Sequence, residues 1–384
     1  MIRTDRIEAN SRQGCVDRLV ATIAERREEI DQLGHVPRDL VDLMKQAGIF
    51  RASTPARFGG DALSPAEFLP LVEAIATADG SAGWVAAFGS ANSYLAALPV
   101  ETQAAIYAEG PDQVFAGGLY PLQPATAVHG GWHVSGRWRF ASGCKGADWI
   151  GVGIATRPDW AGENDPPEVR MAIAPAAEIE IIDNWQVVGM QGTGSHDTRV
   201  ANKFYSQEWT CVRGARSTID EPLYHYPPLA YQAQAHAACN IGLARAALDI
   251  VREMSAGAKI MPGAARLGDR AYFRTTLAMG EAKWRSARAF FYETIEETWR
   301  AIEAGEAVTA EKHNLLRLGA SWAALACFEV IQSAWRSAGM TAIHKTHRLQ
   351  QIMRDAMVVT QHASLNDGTF EDIGGFFAGV SKGI

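Results

Sequence analysis

The stretch that decides the fold is Gly131-Trp-His-Val-Ser-Gly-Arg-Trp-Arg-Phe-Ala-Ser-Gly-Cys-Lys-Gly-Ala-Asp-Trp-Ile150. It mixes β-branched and aromatic residues with polar ones and is broken by glycines, which is typical of strands joined by tight turns. Gly130-Gly131, between two such runs, indicates a hairpin. Similar short runs occur nearby, so we predict an antiparallel sheet or small barrel; these runs are 113–117, 125–129, 149–155 and 169–174.

Helical patterns lie on the N-terminal side of this sheet zone. Val16–Glu29 carries an apolar and charged periodicity, and Pro37 and Pro65 each stand at the start of a predicted helix. Ala82–Leu98 is nearly all apolar, as expected for a helix buried between other helices. We therefore predict an N-terminal helical domain over 1–112.

Helical periodicity returns after the sheet zone. One face of a long predicted helix carries large apolar residues at spacings of three, four and seven: Leu277, Trp284, Phe291, Ile295, Trp299 and Ile302. A second helix is predicted over 311–337, and the short connections favour antiparallel packing. We predict an α+β fold that is mainly α, with a middle β domain over 113–215 and a C-terminal helix bundle over 216–384.

Composition excludes several classes of function. The chain has 384 residues, 47% of them hydrophobic, and a formal net charge of −7 with no dense Lys/Arg block, which argues against nucleic-acid binding. Its five cysteines are odd in number and scattered, without a CxxC pair, so neither a disulfide framework nor a cysteine zinc site is indicated.

No targeting or membrane segment is predicted. The N-terminus lacks the apolar stretch of a signal peptide. Leu318–Trp335 is the most hydrophobic long segment, but it contains Glu329 and Gln332 and is better interpreted as a buried helix than as a membrane span. We expect a cytoplasmic protein that binds no membrane.

Common catalytic motifs are missing. Gly151-Val-Gly and Gly192-Thr-Gly lack the third glycine of a dinucleotide fingerprint, and the sequence contains neither a P-loop nor a Gly-x-Ser-x-Gly elbow. The histidine pairs 129/133 and 344/347 have no clustered carboxylate or third imidazole, so we predict no metal site. A nicotinamide site is not recognisable.

Several motifs together resemble the acyl-CoA dehydrogenase superfamily, and most closely its flavin-dependent monooxygenase branch, the oxygenase components of two-component systems. The resemblance spans nearly the whole chain in the right order. Its motifs are Phe58-Gly59-Gly60, Asp79-Gly-Ser-Ala-Gly-Trp84, the 131–150 stretch, Gly189-Met-Gln-Gly-Thr-Gly-Ser-His-Asp197, and Arg354-Asp355-Ala356 followed by His362. It implies a C-terminal four-helix bundle, a homotetramer, and a middle domain that forms a wall for the flavin.

The resemblance also assigns residues to the flavin. Phe140 matches the family's aromatic residue beside the ring, Ser142 matches the hydroxyl at flavin N5, and Gly143 lets the backbone approach closely. Trp138, Thr193 and Ser195 complete the set that we expect to bind the cofactor.

The C-terminal segment separates two activities within the superfamily. Acyl-CoA dehydrogenases use a glutamate to remove a proton, whereas at the matching place this chain has His362 and no carboxylate. A histidine titrates near neutral pH and can hold or move a proton during oxygen transfer. We therefore predict catalytic roles for His362 and Ser142.

One position departs from the monooxygenase pattern. Many of these enzymes place a second histidine in the helix after the Gly-Trp motif, and here that position is Ala91, beside Asn92. Asn92 can donate a hydrogen bond, and we assign it to the catalytic set, but it cannot act as a base. The departure therefore favours a non-phenolic substrate, or a chemistry other than aromatic hydroxylation.

The resemblance implies a monooxygenase that takes reduced FMN or FAD, as a diffusible cosubstrate, from a separate NAD(P)H:flavin reductase. It would insert one oxygen atom from O2 into a small aromatic or heteroaromatic substrate by way of a flavin C4a-hydroperoxide, in a pocket that excludes water. Two alternatives stay open: a desaturase that keeps oxidised FAD tightly bound, and a catalytically silent binding protein on the same scaffold.

Overall fold

A computed structural model of the chain describes residues 11–157, 167–257 and 265–380. Within these residues the chain divides into two compact units that interleave along the sequence. The first unit takes the described parts of 1–64, 88–187 and 191–229, and the second takes 65–87, 188–190 and the described part of 230–384. The three-domain division at residues 112 and 215 stays a prediction.

The first unit carries short helices around a sheet. Its helices are α1 (Arg12–Glu25), α2 (Arg27–Leu33), α3 (Arg38–Gln46), α6 (Asn92–Leu95) and α7 (Val100–Ile106), and its strands are β1 (Phe115–Val128), β2 (Gly131–Ala141), β3 (Trp149–Thr156), β4 (Glu168–Pro175), β5 (Glu180–Ile182), β6 (His196–Ser206) and β7 (Thr210–Val212). Among the described residues the strands form one seven-stranded sheet, in the order β5-β6-β2-β1-β3-β4-β7.

The sheet is mostly antiparallel, as the sequence predicts. The hairpin is confirmed, because Val128 pairs with Gly131 and Gly130 adopts a positive φ of 78° in the turn. Two runs that we predicted as separate strands are joined in the single long strand β1, and β1 pairs with β3 in parallel. Strand β6 was not predicted, because polar residues occupy its buried positions His196, Asp197 and Thr198 and hide its alternation.

The sheet packs one face into a hydrophobic core. In β2 the buried residues are interspersed with exposed ones, whereas every residue of β3 is buried or half-buried. Val134, Trp138 and Ile150 are fully buried members of this core. The core holds the end of β2 in place, and that end carries Phe140 and Ser142.

The second unit is helical. Its helices are α4 (Pro65–Ala78), α5 (Gly80–Ala87), α8 (Pro228–Ser255, from residue 230), α9 (Ala271–Glu303), α10 (Ala310–Ala338), α11 (Arg348–Thr360) and α12 (Asp367–Phe377). The two long helices predicted around the aromatic face and over 311–337 are confirmed as α9 and α10. The prediction of one continuous helix over Ala82–Leu98 was wrong, because a 3-10 turn at Phe88–Ser90 separates α5 from α6.

Small residues let the helices of the second unit approach closely. A Cβ at Gly83 would lie 2.5 Å from the Cβ of Ala76, and one at Gly242 would lie 2.4 Å from the carbonyl oxygen of Glu73. Asn240 of α8 donates to the carbonyl oxygens of Ala324 and Ala356, at 2.9 and 3.3 Å, and so links α8 to α10 and α11. These contacts fix the faces of α5, α8 and α11 toward one another.

Helix α10 is the most apolar long helix in the described residues. By length and composition alone it could cross a membrane, and 61% of its apolar window is buried inside the molecule. Its buried side chains include Leu316, Cys327 and Ile331. The packing is that of a core helix, which agrees with the interpretation of Leu318–Trp335 from sequence.

Candidate active site

Two segments of the first unit lie side by side at the end of β2. Ala141 pairs with His196 across β2 and β6, and the backbone N–H of Gly143 donates to the carbonyl oxygen of Thr193 at 2.8 Å. Gly143 has a φ of 72° and Gly194 a φ of 53°, so both turns use a conformation that glycine adopts easily. The pairing brings Ser142 and Ser195 together.

Three buried hydroxyls form a row between these segments. The Oγ of Ser195 lies 2.7 Å from the Oγ of Ser142 and 2.7 Å from the Oγ1 of Thr193. Each hydroxyl in the row can both donate and accept a hydrogen bond. The row therefore acts as one donor and acceptor group, and all three of its residues were predicted from sequence.

An exposed aromatic ring stands beside the row. Phe140 is 62% exposed and has a φ of 63°, which is unusual for a bulky residue and marks local strain of a kind that clusters at functional sites. Its ring packs edge-on against Trp185, with centroids 6.2 Å apart. The Nδ1 of His196 accepts the backbone N–H groups of Asn184 and Trp185, both at 3.2 Å, and so fixes the loop that carries Trp185.

Helix α3 holds the turn that follows Ser142. The carboxylate of Asp148 accepts a hydrogen bond from Lys45 at 2.7 Å and from the backbone N–H of Val114 at 2.9 Å. Gly146, in the same turn, has no room for a side chain, because a Cβ there would lie 2.9 Å from the Cγ2 of Val41. The hydroxyl row is therefore built on a rigid support.

The residues at this site fit a flavin. The edge of an isoalloxazine ring presents alternating hydrogen-bond donors and acceptors, and hydroxyls can serve both. The row supplies hydroxyls from Ser142, Ser195 and Thr193, the exposed ring of Phe140 offers a flat apolar surface, and Gly143 exposes backbone between them. These residues would hold the ring.

Two predicted residues have other roles in the structure. Trp138 is completely buried in the sheet core, and its indole N–H donates to the carbonyl oxygen of Gly153 at 2.6 Å. Asn92 is also buried, and its amide donates to the carbonyl oxygen of Phe50 and the hydroxyl of Thr54 at 2.8 and 2.9 Å. The buried hydrogen bonds of both side chains stabilise the fold and do not favour a role in flavin binding or catalysis. The predicted roles of Trp138 and Asn92 stay predictions.

The second unit brings three rings together around His362. The ring of His236 stacks on Trp84 with centroids 4.1 Å apart and planes 26° apart. The ring of His362 lies 4.5 Å from that of His236 and 5.6 Å from that of Trp84. The predicted catalytic histidine is thus held in an aromatic cluster with a second imidazole.

The hydrogen bonds define how these imidazoles hold their protons. The Nδ1 of His362 accepts the backbone N–H of Ser364 at 3.3 Å, so in the neutral ring the proton is on Nε2. Burial, and next the positive charge of a protonated His362, lower the pKa of His236 well below 6.5. His236 is therefore neutral near pH 7.

Sequence motifs position this cluster. The carboxylate of Asp79 accepts the backbone N–H of Ala82 at 2.9 Å and caps the first turn of α5, which carries Trp84. In the helix before His362, the carboxylate of Asp355 accepts the backbone N–H of Met190 at 2.5 Å, and Arg354 donates to the carbonyl oxygen of Val188. The Gly-Trp and Arg-Asp motifs thus support the rings.

His236 was missed by the sequence analysis. It lies in Ala235-His-Ala-Ala-Cys239, a fully buried part of α8, without a motif around it. A single titratable residue in an otherwise apolar helix was the one signal that could have drawn attention to it.

Two family models match the chain: the acyl-CoA dehydrogenase N-terminal domain over residues 10–107, and the acyl-CoA dehydrogenase C-terminal domain over residues 234–367. The chain is 45% identical over 351 residues to an indole-3-acetate monooxygenase of Pseudomonas putida, which covers 91% of this chain and 89% of the relative. An enzyme of the same name from Acinetobacter baumannii is 39% identical, over 94% of this chain and 92% of the relative.

A solved structure has the same fold. The crystal structure of a 3-HSA hydroxylase from Rhodococcus superposes with a TM-score of 0.89 at 25% identity, and the match covers 97% of this chain and 98% of that chain. The chain belongs to the acyl-CoA dehydrogenase superfamily, in its branch of flavin-dependent monooxygenases. It is accordingly an oxidoreductase, and the carboxylate missing beside His362 is in keeping with that branch rather than with the desaturases.

Proposed function

We propose that the protein is the oxygenase component of a two-component system that hydroxylates an aromatic acid of the indole-3-acetate type. It would take reduced FMN or FAD as a diffusible cosubstrate, with O2 as the second. The substrate class is supported by the two indole-3-acetate monooxygenases that are 45% and 39% identical to the chain. Ala91, where a histidine would serve a phenol hydroxylase, also favours a substrate that has no phenolic proton to remove.

The observation that carries the proposal is the row of hydroxyls at Ser142, Ser195 and Thr193. When bound, reduced flavin would supply the electrons that activate O2. The row would bind one edge of the ring and keep it in register, with Ser142 at N5. Because the row is buried and its support is rigid, the hydroxyls need little reorganisation to make these bonds.

His362 would hold a proton at Nε2 during oxygen transfer. Its Nε2–H can donate a hydrogen bond to an oxygen atom, while Nδ1 accepts the backbone N–H of Ser364 and so keeps the ring in that orientation. The stacked rings of Trp84 and His236 exclude water from one side of His362 and fix its orientation. His236 stays neutral and so places no positive charge next to His362.

The proposal includes partners and a location. A separate NAD(P)H:flavin reductase would supply reduced flavin, and we place both proteins in the cytoplasm. We also propose a homotetramer. It would cover exposed large apolar side chains of the second unit, among them Tyr272, Met279, Trp322, Met340, Ile343, Met357 and Phe377.

A reconstitution experiment tests the proposal. Photoreduced FMN or FAD is mixed with the protein, indole-3-acetate and air, without any reductase, and the hydroxylated product is measured per flavin oxidised. We expect product with at least one of the two flavins and less free hydrogen peroxide than in the protein-free control. Flavin oxidation that yields peroxide alone, with all members of a panel of aromatic acids, would contradict the proposal.

A further inference from the structure

Arg213 is a charged side chain in the first unit that has no acidic partner among the described residues. It follows β7, and its backbone N–H donates to the carbonyl oxygen of Val169 at 3.0 Å, which continues the ladder with β4. Because strand residues alternate between faces, Arg213 lies on the same face as Cys211. That face belongs to an apolar cluster, in which Cys211 is buried.

The guanidinium of Arg213 contacts Tyr120 through Nη1, which leaves its other N–H groups to bind a ligand. Its Nη1 donates to the hydroxyl of Tyr120 at 2.9 Å, and its carbon lies 5.6 Å from the centroid of the Tyr120 ring. Its Nε is buried and has no hydrogen-bond partner in the part of the chain that the structure describes. A buried N–H without an acceptor costs free energy, and this cost is removed when a ligand supplies the acceptor.

The surroundings add positive charge and aromatic surface. Arg139 stands opposite Tyr120 across β1 and β2, on the same face, and has no ion pair within the described residues. Tyr94 lies near the guanidinium: burial raises the pKa of Tyr94 to about 12, and the charge of Arg213 opposes that rise. Tyr94 and Leu119 pack on the same apolar cluster as Cys211.

These features together describe a site for an aromatic acid. The cluster offers apolar and aromatic surface to a ring, through partly buried members that include Phe88, Tyr94, Leu119 and Trp209. The guanidinium offers donors in the fork geometry that carboxylates prefer. We propose that Arg213 binds the carboxylate of the aromatic acid substrate, an inference that rests on the proposed function.

Ligand binding tests the proposal without turnover. Indole-3-acetate and 3-methylindole, which lacks the carboxylate, are titrated without oxygen into the protein, with and without reduced flavin, by calorimetry. Arg213→Gln should weaken binding of indole-3-acetate about 10- to 100-fold, the range expected for a charge-assisted bidentate contact. Binding of 3-methylindole should stay within about twofold, because its contacts are apolar.

Two further variants make the result specific. Arg213→Lys keeps the charge but not the fork, so it should recover part of the lost affinity. Arg199→Gln removes an exposed arginine of the same sheet that pairs with Glu180, and it should leave both affinities unchanged. The thermal midpoint of each variant checks that it folds.

Several outcomes would overturn the assignment. The assignment is wrong if Arg213→Gln binds indole-3-acetate with the affinity of the wild type, which is also the result expected for Arg199→Gln. It is also wrong if Arg213→Gln loses affinity for indole-3-acetate and 3-methylindole equally. Wild-type protein that binds neither ligand would overturn the assignment and the proposed function together. Wild-type protein that binds the acid through Arg213 but does not hydroxylate it would overturn the proposed function alone.

Discussion

Replacing Ser142 with alanine tests the hydroxyl row most sharply. Ser142 is one end of the row and contacts Ser195 at 2.7 Å. The substitution removes one hydroxyl and its hydrogen bond to the flavin but leaves the Ser195–Thr193 bond intact. A typical hydrogen bond contributes about 1 kcal/mol net, so flavin binding should weaken about fivefold.

The measurement is an anaerobic titration of the protein with reduced FMN and FAD, followed by tryptophan fluorescence. The ratio of hydrogen peroxide to hydroxylated product is measured in parallel, and it should rise because the ring is held less firmly. Ser135→Ala is the matched control, since Ser135 accepts the backbone N–H of Asn202 in an exposed part of the same sheet. If Ser142→Ala and Ser135→Ala give the same affinity and the same ratio, the hydroxyl row does not bind the flavin.

Three further predictions concern stability and the second unit. Burial lowers the pKa of His236, so the unfolded chain binds a proton more readily than the folded chain does, and the free energy of unfolding should fall as pH drops below 6.5. His236→Phe should flatten that part of a profile of urea midpoint against pH, and an unchanged profile would contradict the assignment. Gly189→Ala puts a Cβ 2.3 Å from the carbonyl oxygen of Arg354, so it should lower the free energy of unfolding, measured by thermal denaturation, by about 1–3 kcal/mol. The control Gly374→Ala, in helix α12 with open space around it, should leave the free energy of unfolding unchanged or raise it. Equal effects of the two variants would refute the close contact. Glu73 accepts hydrogen bonds from Arg288 and Tyr292 in a buried cluster, and Glu73→Gln removes the negative charge of this cluster. The denaturant midpoint should therefore fall. The control Arg300→Gln, on the surface of α9, should leave the midpoint unchanged.

Much of the fold was predictable because hydrophobic periodicity reports burial directly. The aromatic face of α9 and the Gly130 turn are local features, so the sequence alone locates them. The break at Phe88–Ser90 was missed because the chain stays largely buried on both sides of the turn, so the mostly apolar segment resembles one buried helix. Strand β6 was missed for the opposite reason, because buried positions such as Asp197 and Thr198 are polar.

The candidate site was predictable where a motif lies in one stretch of sequence. Ser142, Ser195 and Thr193 come together because two glycine turns pair across the sheet, and both turns carry family motifs. His236 and Arg213 escaped because their roles depend on partners distant in sequence: Trp84 and His362 for the first, Tyr120 for the second. Long-range contacts of this kind leave no local pattern.

The central claim is that the protein transfers an oxygen atom from O2 to an aromatic acid with electrons from reduced flavin. The most direct test is a single turnover under labelled dioxygen, with photoreduced flavin and indole-3-acetate, followed by mass spectrometry of the product. We predict one labelled oxygen atom in each hydroxylated product molecule, with no label when labelled water replaces labelled dioxygen. Label acquired from water, or flavin oxidation with no oxygenated product, would contradict the account.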